Sequence, residues 1–356
     1  MGRNQERDPC GRAGRLTVLR WFLVRCALMV PAIVGITFLT FLLLDLAPVD
    51  RARLEMLQAR ENGAPFQEHE RAVALLRLQV RYGLVDAQTL QPLPVWTRYE
   101  RWASNALLLR LAGPDEDEAQ FWRRLFDAVP VTLLLGLISL LAAFVIGIPL
   151  GVWLGLHAGE RSERAVSRLL FVLAGFPEVL IATLLLIGFG GVWLRWFPAS
   201  GLHSDGIDEA SPVSQALDLA WHLALPVTAM ALPVLLVIVR FLRESVSRAA
   251  VAPFADNLRA WGLEDRLLRA RLLRAGLVPL ATMCGSLLPL VVAGSVVVET
   301  VFSIEGIGRL AWRAVTSEDQ AMVMTLVLLT SVATLCSLVL SDFLQRLIDP
   351  RVRLTR

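Results

Sequence analysis

Lysine is absent from this 356-residue chain, so all 35 basic residues are arginine. Without lysine there is no Gly-x-x-x-x-Gly-Lys-Ser/Thr loop to reach the β- and γ-phosphates of a nucleotide. If ATP drives the protein, another subunit binds it. Cysteine is nearly absent too: Cys26, Cys284 and Cys336 fall inside apolar runs and Cys10 in the Arg-rich N-terminal stretch, which argues against a disulfide framework. The four histidines, His69, His157, His203 and His222, are scattered, and no Cys-x-x-Cys or His-Glu-x-x-His pattern occurs. No metal, no cofactor and no catalytic residue is therefore expected on this chain, and a membrane-embedded enzyme lacks its nucleophile and base. The net charge of +3 reflects clustered arginine balanced by acids elsewhere, and excludes a nucleic-acid-binding surface.

Apolar residues are what the chain has in excess. They make up 55% of it, and mean hydropathy is +0.58, above the composition of ordinary soluble domains. Six stretches are long enough to cross a bilayer core: near Ala27 to Leu46, Val131 to Leu154, Ala165 to Trp193, Leu219 to Val239, Ala281 to Val301 and Met322 to Leu340. Arg12, Arg15, Arg20 and Arg25 precede the first and Arg161, Arg164 and Arg168 follow the second. A run from Arg240 to Arg274 follows the fourth, and Arg346, Arg351 and Arg353 follow the last. Positive residues favour the cytoplasmic side, so both termini are expected there. Asp45-Leu46-Ala47-Pro48 offers no small-x-small cleavage site, so the first span is expected to stay as an uncleaved anchor.

These expectations divide the chain into a cytoplasmic tail (1–26), a first transmembrane helix (27–46), an external helical segment (47–127), a five-helix transmembrane domain (128–345) and a cytoplasmic tail (346–356). The external segment has helical periodicity at Arg71-Ala-Val-Ala-Leu-Leu-Arg-Leu and is read either as a solvated cap or as a binding module. In the second span, Ser139, Ala143, Gly147, Gly151 and Gly155 repeat every four residues and line one helical face with small side chains, which lets another helix approach closely. Trp193 and Trp196 fit an outer aromatic belt.

The inner loop at 244–278 is too long for a simple turn and too apolar, at Phe254, Leu258 and Trp261, for a purely solvated one. Pro253 suits the first turn of a helix and Gly262 a left-handed stop, framing a short surface helix that either fits a groove on a partner or rests among lipid headgroups. Glu178, after Pro177 and about ten residues into the third span, is the deepest charge, at about 15 Å along a straight helix. It is read as facing a central pathway or as a hydrogen-bonded structural carboxyl. Glu299 is a boundary residue, or belongs to an external re-entrant or gating turn in which Gly306 and Gly308 permit unusual backbone angles. A secondary transporter would require paired intramembrane acids or bases, and Glu178 stands alone.

Phe254-Ala-Asp-Asn-Leu-Arg-Ala-Trp-Gly-Leu263, followed by Arg274-Ala-Gly-Leu-Val-Pro279, resembles the EAA loop of binding-protein-dependent ABC importer permeases. Further segments resemble the oligopeptide, dipeptide and nickel branch: Phe41-Leu-Leu-Leu-Asp-Leu-Ala-Pro48, Val129-Pro-Val-Thr-Leu-Leu-Leu135, Gly147-Ile-Pro-Leu-Gly151, Glu299-Thr-Val-Phe-Ser-Ile-Glu-Gly-Ile-Gly-Arg-Leu310 and Asp349-Pro-Arg-Val-Arg353. The resemblance implies an all-α, polytopic six-helix bundle of the type I importer permease kind with a helical external insertion after the first span. It implies half of a translocation pathway for peptides or related solutes, completed by a homologous second permease. Cytoplasmic ATPase subunits would carry ATP and Mg, and an external solute-binding protein would deliver the cargo. Pro253, Phe254, Ala255, Asp256, Asn257, Leu258, Arg259, Ala260, Trp261 and Gly262 would form the coupling helix; Glu178, Glu299, Gly306 and Gly308 would border the pathway or gate. Asn257-Leu258 departs from the small pair usual in the family, and Trp261 from its basic residue, so the alternative is a weakly coupled or non-transporting relative with a sensing or assembly role.

Overall fold

The computed structural model describes residues 10–46, 68–114, 116–191, 193–251 and 294–348, with single positions between 253 and 291. Every element of regular structure among them is helical, apart from one isolated bridge between Val85 and Pro92. The helices are α1 (Cys10–Leu46), α2 (Glu68–Arg81), α3 (Val95–Leu107), α4 (Glu118–Leu156), α5 (Arg161–Ala174), α6 (Glu178–Phe189), α7 (Pro212–Ala250), α8 (Val296–Val301), α9 (Ile307–Thr316) and α10 (Gln320–Ile348). Four are long and apolar enough to cross a membrane: Phe22–Leu46 of α1, α4, α7 and Gln320–Phe343 of α10. Of the expected fifth span, 281–301, residues 294–301 are described together with isolated earlier positions, and Cys284 lies outside the described residues.

The chain divides into two compact units. In the first, Met1–Arg123 with Ala314–Leu335, α3 is anchored to α1 through Tyr99. That ring makes edge-on contacts with Phe38 and Phe41 and tilted contacts with Trp96 and Trp102. Its hydroxyl lies 2.9 Å from Thr37 Oγ1 in a buried hydrogen bond. Arg98 pairs with Asp45 at the end of α1. The polar segment after the first span is thus stapled to that span by an aromatic cluster and an ion pair. α4 runs unbroken from Glu118 to Leu156, through the expected boundary between external segment and transmembrane domain at 127/128.

In the second unit, Arg124–Arg313 with Cys336–Arg356, the small-residue stripe of α4 lies against α7. A Cβ on Gly151 would lie 2.8 Å from Leu242 Cβ, and one on Gly155 2.7 Å from Val246 Cβ. Ala143, Ile238, Val239 and Leu242 are buried along the same contact. The glycines exist for backbone approach, as the spacing of four predicts. A second cluster, including Leu135, Ile181, Leu223, Val298, Phe302 and Ile304, packs around α6 and α8.

The third span departs from expectation. α5 and α6 are bent by 102° where one helix from 165 to 193 was expected. Pro177 disfavours helical dihedrals at Phe176 and cannot donate its own backbone hydrogen bond, so α5 stops at Gly175 and α6 restarts after Pro177. α6 has 12 residues, about 18 Å, and falls short of a full crossing. Glu178 is therefore the first residue of a helix, and no longer ten residues down a straight one.

Candidate functional site

Three short elements converge on Glu299. Ser295 caps α8, its hydroxyl accepting from Val298 N at 3.1 Å. One turn on, Glu299 is wholly buried. Its Oε1 accepts from Thr132 Oγ1 at 2.8 Å and its Oε2 from Arg309 N at 2.9 Å. Thr132 Oγ1 in turn accepts from Ile307 N at 2.8 Å. The carboxyl group thus closes the amino end of α9, supplying an acceptor where the helix has unpaired donors.

The glycines of this motif serve a different purpose from the one expected. Positive φ occurs at Gly294 (64°) and at Ser303 (55°), and not at Gly306 or Gly308. Those two are required for space. A Cβ on Gly306 would sit 2.5 Å from Glu299 Cδ and from Thr132 Oγ1, and one on Gly308 2.8 Å from the Val296 backbone and 2.9 Å from Glu299 Oε2. The backbone lies directly on the buried carboxylate.

Glu178 belongs to the same assembly. It is half-buried, and its Oε1 accepts from Ser295 Oγ at 3.0 Å. Ser295 therefore bridges the start of α6 to the start of α8, bringing Glu178 and Glu299 into one polar group that sequence reasoning kept apart.

Two other groupings were missed. Glu163 Oε1 accepts from Arg243 Nε and Ser167 Oγ, both at 2.7 Å, and Oε2 accepts from Gly159 N at 3.3 Å. The carboxyl is buried, while Arg243 keeps one face open beside Arg164, Arg168 and Phe171. This pair ties α5 to the end of α7, just before the coupling loop. Asp218 lies 3.5 Å from His222 and 3.7 Å from His203, so these histidines do have an acidic partner. The four-residue spacing of Asp218 and His222 was the available signal. Among the described residues, no group of three or more His, Cys, Asp or Glu side chains is placed to hold a metal ion.

In the loop expected to couple to an ATPase, Pro253, Asn257 and Ala260 are helical and exposed, and Trp261 N donates to Asn257 O at 3.0 Å. Gly262 then adopts φ +69°, the left-handed stop expected of it. The Trp261 side chain is 79% exposed. Phe254, Ala255, Asp256, Leu258 and Arg259 lie outside the described residues.

Residues 147–354, more than half of the chain, match the family described as binding-protein-dependent transport system inner membrane component. The chain belongs to this family. It is a multi-pass membrane permease subunit of a binding-protein-dependent ABC importer, and it is not an enzyme. The Agrobacterium fabrum peptidoglycan transport system permease protein YejB is 28% identical to it, covering 94% of this chain and 98% of that one. The Bacillus subtilis oligopeptide transport system permease protein AppB is 26% identical, over 93% of this chain and 98% of its own. The Escherichia coli dipeptide transport system permease protein DppB is also 26% identical, over 94% and 99%. Both the coupling loop and the Glu299 assembly fall inside the matched region.

Proposed function

We propose that this permease forms half of the translocation pathway for peptides or related small solutes delivered by an external binding protein. The observation that supports the reading is end-to-end similarity to permeases named for peptidoglycan, oligopeptide and dipeptide transport. A homologous second permease completes the pathway, and two cytoplasmic ATPase subunits hold ATP and Mg. The chain crosses the bacterial inner membrane six times with both termini inside, the bent α5–α6 pair serving as one broken span; the arginine-rich loops and tails support this orientation.

The helix from Pro253 to Trp261 is the contact with the ATPase. Its exposed tryptophan, which in water costs an apolar surface of this size, suits a groove on a partner protein. Nucleotide-driven closure of the ATPase pair moves this helix and, through the Glu163–Arg243 pair, helix α5 with it. The permease then opens outward to the loaded binding protein, a two-state equilibrium biased by ligands that prefer one state. Glu178 borders the pathway; Glu299, Gly306 and Gly308 hold the outer turn that gates it.

The test is purification of the tagged chain in mild detergent, with mass spectrometry of its partners, for wild type and Gly262→Pro. An ATPase and a second permease recovered with wild type and lost from the variant are expected. Absence of an ATPase from both would overturn the coupling role and favour an uncoupled relative.

A further inference from the structure

The first unit encloses a cavity of about 550 Å³ between the end of α1, the α2–α3 connection, the residues after α3 and the start of α10. Its size is that of a small-molecule site. Four arginines line it, Arg81, Arg98, Arg101 and Arg110, against a single lining acid, Asp45. Asp45 is engaged by Arg98. Arg101 has only a distant partner, Asp86, at 3.9 Å. Asp86 in turn accepts from the Thr89 and Gln88 amides, which hold its carboxyl below the usual range and commit it to its own turn. Among the described residues that line the cavity, arginines outnumber acids.

Two buried donors reinforce this. Arg98 Nε and Trp102 Nε1 both belong to lining residues, both are shielded from solvent, and neither meets an acceptor among the described residues. Leaving a buried N–H without an acceptor is costly, so such atoms are ordinarily satisfied. Phe41, Leu44 and Met324 add apolar surface to the lining. Planar guanidinium donors together with apolar surface match an organic anion, with its oxygens on the arginines and its carbon skeleton against that surface.

We propose that this cavity is a binding site for a small organic carboxylate. It makes the segment after the first span a ligand-binding module and not only a solvated cap. Its facing the outside of the membrane rests on the orientation proposed above; the binding itself does not. A lipid phosphate would present the same acceptor oxygens, so the source of the anion has to be separated experimentally.

The full chain in phosphatidylcholine nanodiscs is titrated calorimetrically with succinate, tri-alanine, tri-alanine amide and inorganic phosphate, in wild type, Arg101→Gln and Arg110→Gln. Both arginines are exposed, so the variants are expected to fold. Tri-alanine and succinate should bind wild type, the amide at least tenfold more weakly, and each variant should lose roughly tenfold or more, as expected for one charge-assisted hydrogen bond. Equal binding of acid and amide, unchanged affinity in both variants, or no binding of either carboxylate would overturn the proposal. So would phosphatidylglycerol that co-purifies with wild type, is lost from the variants and resists displacement by succinate; the cavity would then be a headgroup site. Since no import is measured, a chain that proved unable to transport could still pass.

Discussion

Thr132 and Glu299, 167 positions apart, share a buried hydrogen bond of 2.8 Å, and the same threonine oxygen receives the Ile307 amide. Gly306 lies against both side chains, so Gly306→Ala would force its methyl to within 2.5 Å of the carboxylate and the hydroxyl. Overpacking of this kind costs about 1 to 3 kcal/mol, and more where the neighbours are held by hydrogen bonds. The variant is expected to lose several degrees of thermal stability in detergent. Gly188→Ala, where a Cβ would meet nothing within 4 Å, should lose none. Equal melting temperatures for the two would show that the turn relaxes freely.

The Glu163–Arg243 pair predicts an asymmetric response. Arg243→Ala leaves a buried carboxyl with only Ser167 and the Gly159 amide, whereas Glu163→Gln leaves an arginine that already reaches solvent. Breaking a buried pair from the side that strands the buried charge costs about 3 to 5 kcal/mol. Glu163→Gln is expected to cost less than half of that loss, and Glu163→Leu combined with Arg243→Met to recover most of it. A double-mutant cycle by thermal unfolding measures this; strict additivity of the single effects would mean that the two residues are not coupled.

The stripe of small residues on α4 gives a third expectation. Gly151→Ala and Gly155→Ala each bring a methyl under 3 Å from α7, and each should cost about 1 to 3 kcal/mol. Gly35→Ala in α1, with nothing within 4 Å, is the matched control and should be neutral or slightly stabilising. Unfolding midpoints compared across the three decide whether α4 and α7 are in contact through these positions.

Much of this was legible because the governing signals are local. Hydropathy located four of the spans, and a spacing of four put Ser139 to Gly155 on one face. Pro253 and Gly262 framed a helix that indeed holds Asn257 and Ala260 and stops at a positive φ. The unread parts depend on long-range contact. Eighty positions separate Glu163 from Arg243, and nothing in either neighbourhood names the other. Gly306 and Gly308 were visible as a motif, but glycine serves backbone angle and backbone proximity equally well, and only the position of Glu299 distinguishes them. At Phe176-Pro177 the signal is local and present in the sequence: a proline within the apolar run from 165 to 193 turns the chain by 102° where one straight helix was expected.

Trp261 supplies a prediction at the surface. Its side chain is exposed, and its amide is bonded within its own turn. Trp261→Ala should therefore leave the melting temperature unchanged while lowering ATPase recovery in a pull-down at least tenfold, the scale of a buried aromatic anchor worth about 2 kcal/mol at an interface. Unchanged recovery would place this ring against lipid and not protein.

Glu178 offers the sharpest separation of structural from transport roles. Its Oε1 accepts one hydrogen bond from Ser295, and a glutamine keeps a carbonyl oxygen in that position, so Glu178→Gln removes the charge while retaining the bond that ties α6 to α8. The melting temperature should be unchanged within error. If the carboxylate borders the pathway, import of a cationic tripeptide such as tri-lysine should fall severalfold relative to tri-alanine, because an opposite charge in a partly dehydrated passage favours the cationic cargo. Reconstituted vesicles holding the whole transporter, with both cargoes supplied in competition, provide the measurement. An unchanged ratio at normal stability would confine Glu178 to holding the α6–α8 junction; a changed ratio at normal stability would require the charge itself to meet the cargo, since the hydrogen bond is present in both forms.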